Sequence, residues 1–123
     1  MVKLIFALRR REGMSPEEFR AYWREQHGPL VARHADALGI RRYVQMHRTE
    51  TPLDAAVAAE RGIDTEPYDG AAELWWDSVD DIVGALQSAE GQEAAAALVE
   101  DERRFIDLPA STLWLGEEHV VVP

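Results

Sequence analysis

The sequence predicts an α+β fold, and three observations carry that reading. Four stretches alternate side chains at strand period. Serine-led helix starts follow the first and the third of them. The resulting order is β, α, β, β, α, β. That order is the ferredoxin-like split βαβ arrangement, in which two helices cover one face of an antiparallel sheet.

The first strand spans residues 2–9, with Val2, Leu4, Phe6 and Leu8 on one fully apolar face. The first helix begins at Ser15-Pro16-Glu17-Glu18: Ser15 caps, Pro16 supplies a fixed φ at the first helical position, and Glu18 completes a capping box. Phe19, Trp23, His27 and Leu30 follow at near-helical spacing as a buried stripe, with Tyr22 beside it. Gly28-Pro29 disturbs the helix after His27, because proline lacks the backbone donor, and a short continuation ends near Gly39. The second strand covers residues 40–48, with Tyr43, Gln45 and His47 pointing one way and Arg42, Val44 and Met46 the other. A long connection with a short Ala-rich helix (residues 54–61) leads to the third strand at 71–77, with Glu73 and Trp75 on one face. Ser78 and Asp81 resemble a second capping box, before a helix that sends Val79, Ile82, Val83 and Leu86 to the core. Residues 88–91 interrupt, helix resumes over 92–105, and Pro109 ends it. A fourth strand follows at 111–115, then a short apolar tail strand at 119–122.

The chain, 123 residues long, suits one domain over residues 1–123. With 46% hydrophobic and 29% charged residues it is an ordinary soluble globular sequence rather than a disordered one. No apolar run reaches the roughly 20 residues of a membrane helix, and the N-terminus lacks a signal-peptide pattern, so a cytoplasmic protein with no membrane partner is expected. The formal net charge of −10 opposes a phosphate backbone and argues against nucleic acid. There is no cysteine, which excludes disulfides, thiolate nucleophiles and Cys-based zinc sites. The four histidines lack tight spacing with each other or with carboxylates, so neither a metal nor another cofactor is expected. More apolar surface is available than two helices can hide, which predicts a homodimer packed sheet to sheet.

The stretch KLIFALRRREGMSPEEFRAYWREQHGPLVARHADALGIRRYVQMHR resembles an EthD domain, as do DGAAELWWDSVDDIVGALQSAEG and the segment around ERRFIDLPASTLWL. The resemblance covers nearly the whole chain and is weakest between Thr51 and Tyr68. It implies a dimeric α+β barrel, the fold shared with small polyketide cyclases, muconolactone isomerases, anthrone-type monooxygenases and some haem-handling enzymes. Fungal relatives include polyketide dehydratases. His27 matches a histidine that carries a proton in a related isomerase; the cysteine partner used there has no counterpart in this chain.

His27 is therefore the first candidate for catalysis. It lies on the inner stripe of a helix, and an unperturbed imidazole exchanges protons near neutral pH. The alternative is a structural histidine satisfied by backbone or tyrosine. Tyr43, Gln45 and His47, with Glu73 and Trp75 from the third strand, form a candidate polar lining: Tyr43 as donor to an oxygen, His47 as second acid or base, Glu73 as orienter of a histidine. These same side chains would otherwise face solvent or a partner subunit. Trp23 and Trp75 are core or interface mass that, lining a pocket, would suit a flat aromatic ligand. His34, His119 and the run Arg9-Arg10-Arg11 are weaker candidates. The expected function is binding of a hydrophobic, aromatic or polyketide-like molecule by a cofactor-independent cyclase, dehydratase or isomerase. A non-catalytic binding protein and a cofactorless oxygenase are the alternatives.

Overall fold

The computed structural model describes residues 1–123. Strands β1 (Val2–Leu8), β2 (Arg42–His47), β3 (Gly70–Trp76) and β4 (Thr112–Gly116) form one antiparallel sheet in the order β2-β3-β1-β4. The helices are α1 (Pro16–Tyr22), α2 (Gly28–Leu38), α3 (Leu53–Ala59), α4 (Val79–Gln87) and α5 (Ala89–Glu102). A π-turn over Trp23–His27 joins α1 to α2, so the first crossover is one continuous helical run. This is the α+β, ferredoxin-like arrangement.

Register decides which side chains meet the helices. Leu4 lies opposite Leu74 and Leu115, and Phe6 opposite Ala72 and Leu113. Because side chains alternate across a pleated strand, Val2, Leu4, Phe6 and Leu8 share the helix-covered face with Ala72, Leu74 and Trp76. The apolar side of β1 is thus covered by helices and is not left for a second copy. The open face carries Lys3, Ile5, Val44, Glu73, Trp75 and Trp114, a mixture of polar and apolar groups. On it Lys3 pairs with Glu73, while Glu118 accepts from Lys3 and from the Trp75 indole.

Local sequence explains most of the element boundaries. Ser15 Oγ accepts from the Glu18 N–H at 3.1 Å, and Glu18 Oε1 accepts from the Ser15 N–H at 3.2 Å, a complete capping box. At α4 the box is half formed. Ser78 Oγ accepts from the Asp81 N–H, but the shorter Asp81 side chain takes the Ser78 hydroxyl proton instead of reaching the backbone. Gly39 ends α2 in the left-handed conformation, φ 70°. Ser88, not the region of Gln92, starts α5 by accepting from the Gly91 N–H. Gly91 is required there because a Cβ would lie 1.7 Å from the Ala85 carbonyl oxygen.

Two expectations need correction. Residues 117–123 form no strand, and Val120, Val121 and Val122 are at least 80% exposed. Gly116, the last residue of β4, pairs with Lys3, and just beyond it Glu118 turns back to Lys3 and the Trp75 indole instead of extending the strand. In α4 only Ile82 packs on the core; Val79 and Val83 face solvent and Leu86 lies at the rim of a cavity.

The core has two parts. One gathers Val2, Val31, Leu38, Ile40, Trp76, Ala94 and Leu98, and the other Leu8, Phe19, Trp23, Ala72, Phe105 and Ile106. Tyr43 and Leu74 pack against both. Members of each part also wall the same cavity between helices and sheet.

Candidate functional site

That cavity has a volume of about 340 Å³, within the range of small-molecule sites. Its wall is almost wholly apolar. His27, Tyr43 and Glu102 bring the only titratable groups, and the indole N–H of Trp76 is already bound to the Leu38 carbonyl at 2.8 Å.

The π-turn aims His27 inward. It adds a residue to the turn, so that Trp23 and His27 are both buried and the Gly28 N–H reaches the Trp23 carbonyl. Gln45 Nε2 donates to that same carbonyl at 2.9 Å. A Cβ on residue 28 would stand 3.1 Å from this amide, so glycine gives Gln45 its room. Pro29 follows without a backbone donor, so one carbonyl of the preceding turn goes without its helical bond, within the widened turn that the Gly28–Trp23 bond closes.

His27 is 5% exposed, and its ring packs at a tilt against Phe105, centroids 5.0 Å apart. Its Nδ1 lies 2.8 Å from Asp101 Oδ2. Asp101 is itself buried on α5 and also accepts from the Tyr22 hydroxyl at 2.5 Å and from Arg104 Nη1 at 2.9 Å. Burial works against the charge of Asp101, yet these hydrogen bonds hold its carboxyl below the usual range. Burial lowers the basicity of His27, with Asp101 opposing. The pair is therefore a carboxylate beside a neutral imidazole. An acceptor-only carboxylate at Nδ1 places the ring proton there and leaves Nε2 as a lone pair.

Nε2 finds no hydrogen-bond partner in the protein. Glu102 Oε2 is 3.9 Å away, beyond hydrogen-bond range. Burial, reinforced by Asp101, raises the Glu102 carboxyl to about 7. Tyr43 lines the cavity, and its hydroxyl oxygen accepts from Gln45 Nε2 at 2.9 Å. Burial raises the Tyr43 phenol, so it stays protonated.

The sequence-derived candidates divide accordingly. His27 and Tyr43 meet at the cavity wall. Gln45 stands behind Tyr43, and His47 Nε2 lies 2.8 Å from Gln45 Oε1 while its ring stacks on Trp23 at 4.4 Å; neither lines the cavity. Trp23 is packed into the core, 1% exposed. Glu73 and Trp75 stand on the opposite face of the sheet. Tyr43 pairs with Leu74, so the residues on either side of Leu74 point away from the cavity. Asp101 and Glu102 escaped sequence reading, since in VEDERRF they look like part of a solvated acidic run. The signal available was their place one helical turn after Leu98, at the inner end of an otherwise apolar face. No group of three or more His, Asp or Glu side chains is arranged to hold a metal ion.

A four-stranded antiparallel sheet covered by helices on one face, with His27, Tyr43 and Glu102 set into the wall of an apolar cavity, defines a small α+β protein of the ferredoxin-like arrangement. The EthD domain family model matches residues 11–109, and the chain belongs to that family. Among solved structures, an EthD family protein from Bacillus halodurans aligns with 21% identity over 97% of this chain and 99% of that one, TM-score 0.64. A dimeric protein of unknown function and ferredoxin-like fold from Bacteroides fragilis aligns with 15% identity over 95% of each chain, TM-score 0.59. SnoaB, a cofactor-independent oxygenase from Streptomyces nogalater, aligns with 15% identity over 99% of this chain and 96% of that one, TM-score 0.55. Among curated proteins, none matches the chain.

Proposed function

We propose that this protein binds a hydrophobic, aromatic or polyketide-like carbonyl compound and moves a proton on it without a cofactor, as a cyclase, dehydratase or isomerase does. The observation that carries this reading is His27: one ring nitrogen is anchored on buried Asp101 and the other is unpartnered at the wall of an apolar cavity. Such a nitrogen is a base in a water-poor site, and a neutral imidazole at neutral pH is in the correct state to act. Tyr43 donates to the carbonyl oxygen and stabilises the charge that forms there. The apolar wall holds the carbon skeleton by burial alone.

The protein works as a homodimer in this reading. Ile5, Val44 and Trp114 on the open sheet face give a partner apolar contact, with Glu73 between Val44 and Ile5 held in a pair with Lys3, and the Bacteroides fragilis relative in fold is dimeric. No helix is long and apolar enough to cross a membrane.

An activated bicyclic ketone, 2-tetralone, tests the chemistry without knowledge of the natural substrate. In D₂O the wild-type protein exchanges the C1 protons faster than buffer, followed by NMR. His27→Ala lowers that rate by about 10²-fold or more. Exchange by the variant at the wild-type rate removes His27 from the chemistry. Binding of the ketone without any exchange makes the protein a carrier. A second reading, a cofactorless oxygenase, is favoured by the likeness to SnoaB and shares the same first step, deprotonation of an electron-rich ring. Oxygen uptake with a phenolic substrate separates the two.

A further inference from the structure

We propose that Glu102 is the acid that works opposite His27, and that the two together restrict the cavity to uncharged, enolisable carbonyl compounds; this rests on the reading of His27 as the base. Two polar groups on different elements converge on one end of an apolar cavity. His27 comes from the π-turn and Glu102 from the last position of α5. Neither His27 Nε2 nor the Glu102 carboxyl makes a hydrogen bond within the protein, and they stand 3.9 Å apart. No buried side-chain polar atom in the protein lacks a partner, so these two unpaired groups are open to the cavity, where a ligand oxygen and its acidic carbon can meet them.

The electrostatics agree with this geometry. Glu102 lies at the negative end of the α5 dipole, beside the Asp101 carboxylate and among apolar groups, all of which favour its neutral form. Its carboxyl titrates at about 7, so near neutrality a large fraction carries a proton to give. In the forward step His27 Nε2 takes the proton from the carbon next to the carbonyl. The C–H pair becomes the C=C bond, the carbonyl π pair moves to oxygen, and the Glu102 O–H proton joins that oxygen. The product is the enol, beside an imidazolium and a carboxylate. Passing the new ring proton to Glu102 restores the starting pair. No oxidant is required, and the site never gains net charge, which matters where solvent cannot screen it. No lysine or arginine lines the cavity. A ligand carboxylate would meet Glu102 with no cation to offset it, so anionic ligands are excluded.

Three measurements decide the proposal, with Glu102→Gln as the near-isosteric variant and circular dichroism as its folding control. In the ligand-free protein, NMR of the Glu102 carboxyl carbon and the His27 ring nitrogens follows both titrations. Glu102 titrates near neutrality and His27 below its ordinary value, so the carboxyl still holds its proton where the imidazole gives up its own. In the 2-tetralone assay E102Q lowers kcat about 10²-fold with KM little changed and abolishes the alkaline fall of the pH profile. In fluorescence titrations the wild type binds 2-naphthol and rejects 2-naphthoate, while E102Q admits both. An ordinary carboxylate titration at Glu102 overturns the proposal. So does unchanged exchange by E102Q where H27A is inactive, a result that leaves His27 as base. Absence of exchange by the wild type sinks the reading of His27 instead, and the titration and the naphthoate comparison still judge Glu102.

Discussion

Asp101 is the residue on which the geometry of the site depends. It accepts three hydrogen bonds, from Tyr22, Arg104 and His27, and so fixes both the tautomer and the orientation of the imidazole. Asp101→Asn keeps the volume but offers the ring an amide in place of a carboxylate, and the imidazolium formed in catalysis loses its counter-charge. The expected result is a fall in kcat for ketone exchange of about 10²-fold or more with KM nearly unchanged. An equal effect on KM would show that Asp101 shapes the cavity instead. Asp101 and Glu102, adjacent in sequence, act on stability with opposite sign. The native carboxyl of Asp101 is lowered, so its contribution is present above its unfolded pKa and lost as pH falls through its native value. Glu102 is raised from 4.5 to about 7, so the native state holds a proton that the unfolded chain releases. Its effect on stability is neutral below 4.5 and increasingly unfavourable as pH rises toward 7, reaching at most about 3 kcal/mol. Glu102→Gln removes that penalty. The variant unfolds at higher urea concentration than the wild type at slightly alkaline pH, and the difference closes toward acid.

At the scale of elements, the π-turn and the α4–α5 junction set the cavity. The π-turn is a sequence feature with a spatial purpose: Gly28 and Pro29 let the helix continue while Gln45 crosses to the Trp23 carbonyl, and the result ties β2 to the helix that bears His27. At the other junction Gly91 packs directly on the end of α4. Gly91→Ala forces a Cβ onto the Ala85 carbonyl, and the two helices must part. A loss of about 3 kcal/mol is expected by urea denaturation, at the upper end for overpacking because the obstacle is backbone. Since Leu86 and Ala95 on these helices both face the cavity, ketone binding weakens in the same variant. Retained stability would mean that α5 can start later, at the point first read from sequence.

At the scale of the whole molecule, the two faces of the sheet have separate tasks. The covered face carries the cavity, and the open face carries half-buried and exposed apolar groups interleaved with the Lys3–Glu73 pair. Ile5 stands near the centre of that open face, between Glu73 and Trp114 in register. Ile5→Asp leaves the helix side untouched and places a charge where a second copy would pack. Sedimentation of the wild type at micromolar concentration is expected to give twice the chain mass of 13.9 kDa, and the variant the single mass. A wild-type protein at the single mass would end the dimer proposal without affecting the site.

The sequence by itself determined the order of elements, because alternation, capping serines and terminating glycines act over a few residues and need no distant partner. Ser15 with Glu18 and the αL glycine at 39 are of that kind, and so is the placing of His27 on an inward helical stripe. Register across strands is another matter. Only the pairing of Tyr43 with Leu74 separates Glu73 and Trp75 from the cavity, and that pairing follows from how two distant segments bury their apolar sides together. The path of the valine tail is equally non-local, since Glu118 turns back to Lys3 and the Trp75 indole where β4 ends. Asp101 and Glu102 read in one dimension as a solvated acidic run, and only the packing of α5 against the π-turn turns them inward. Short-range chemistry wrote the elements; the sharing of buried space between segments far apart in the chain chose which groups meet at His27.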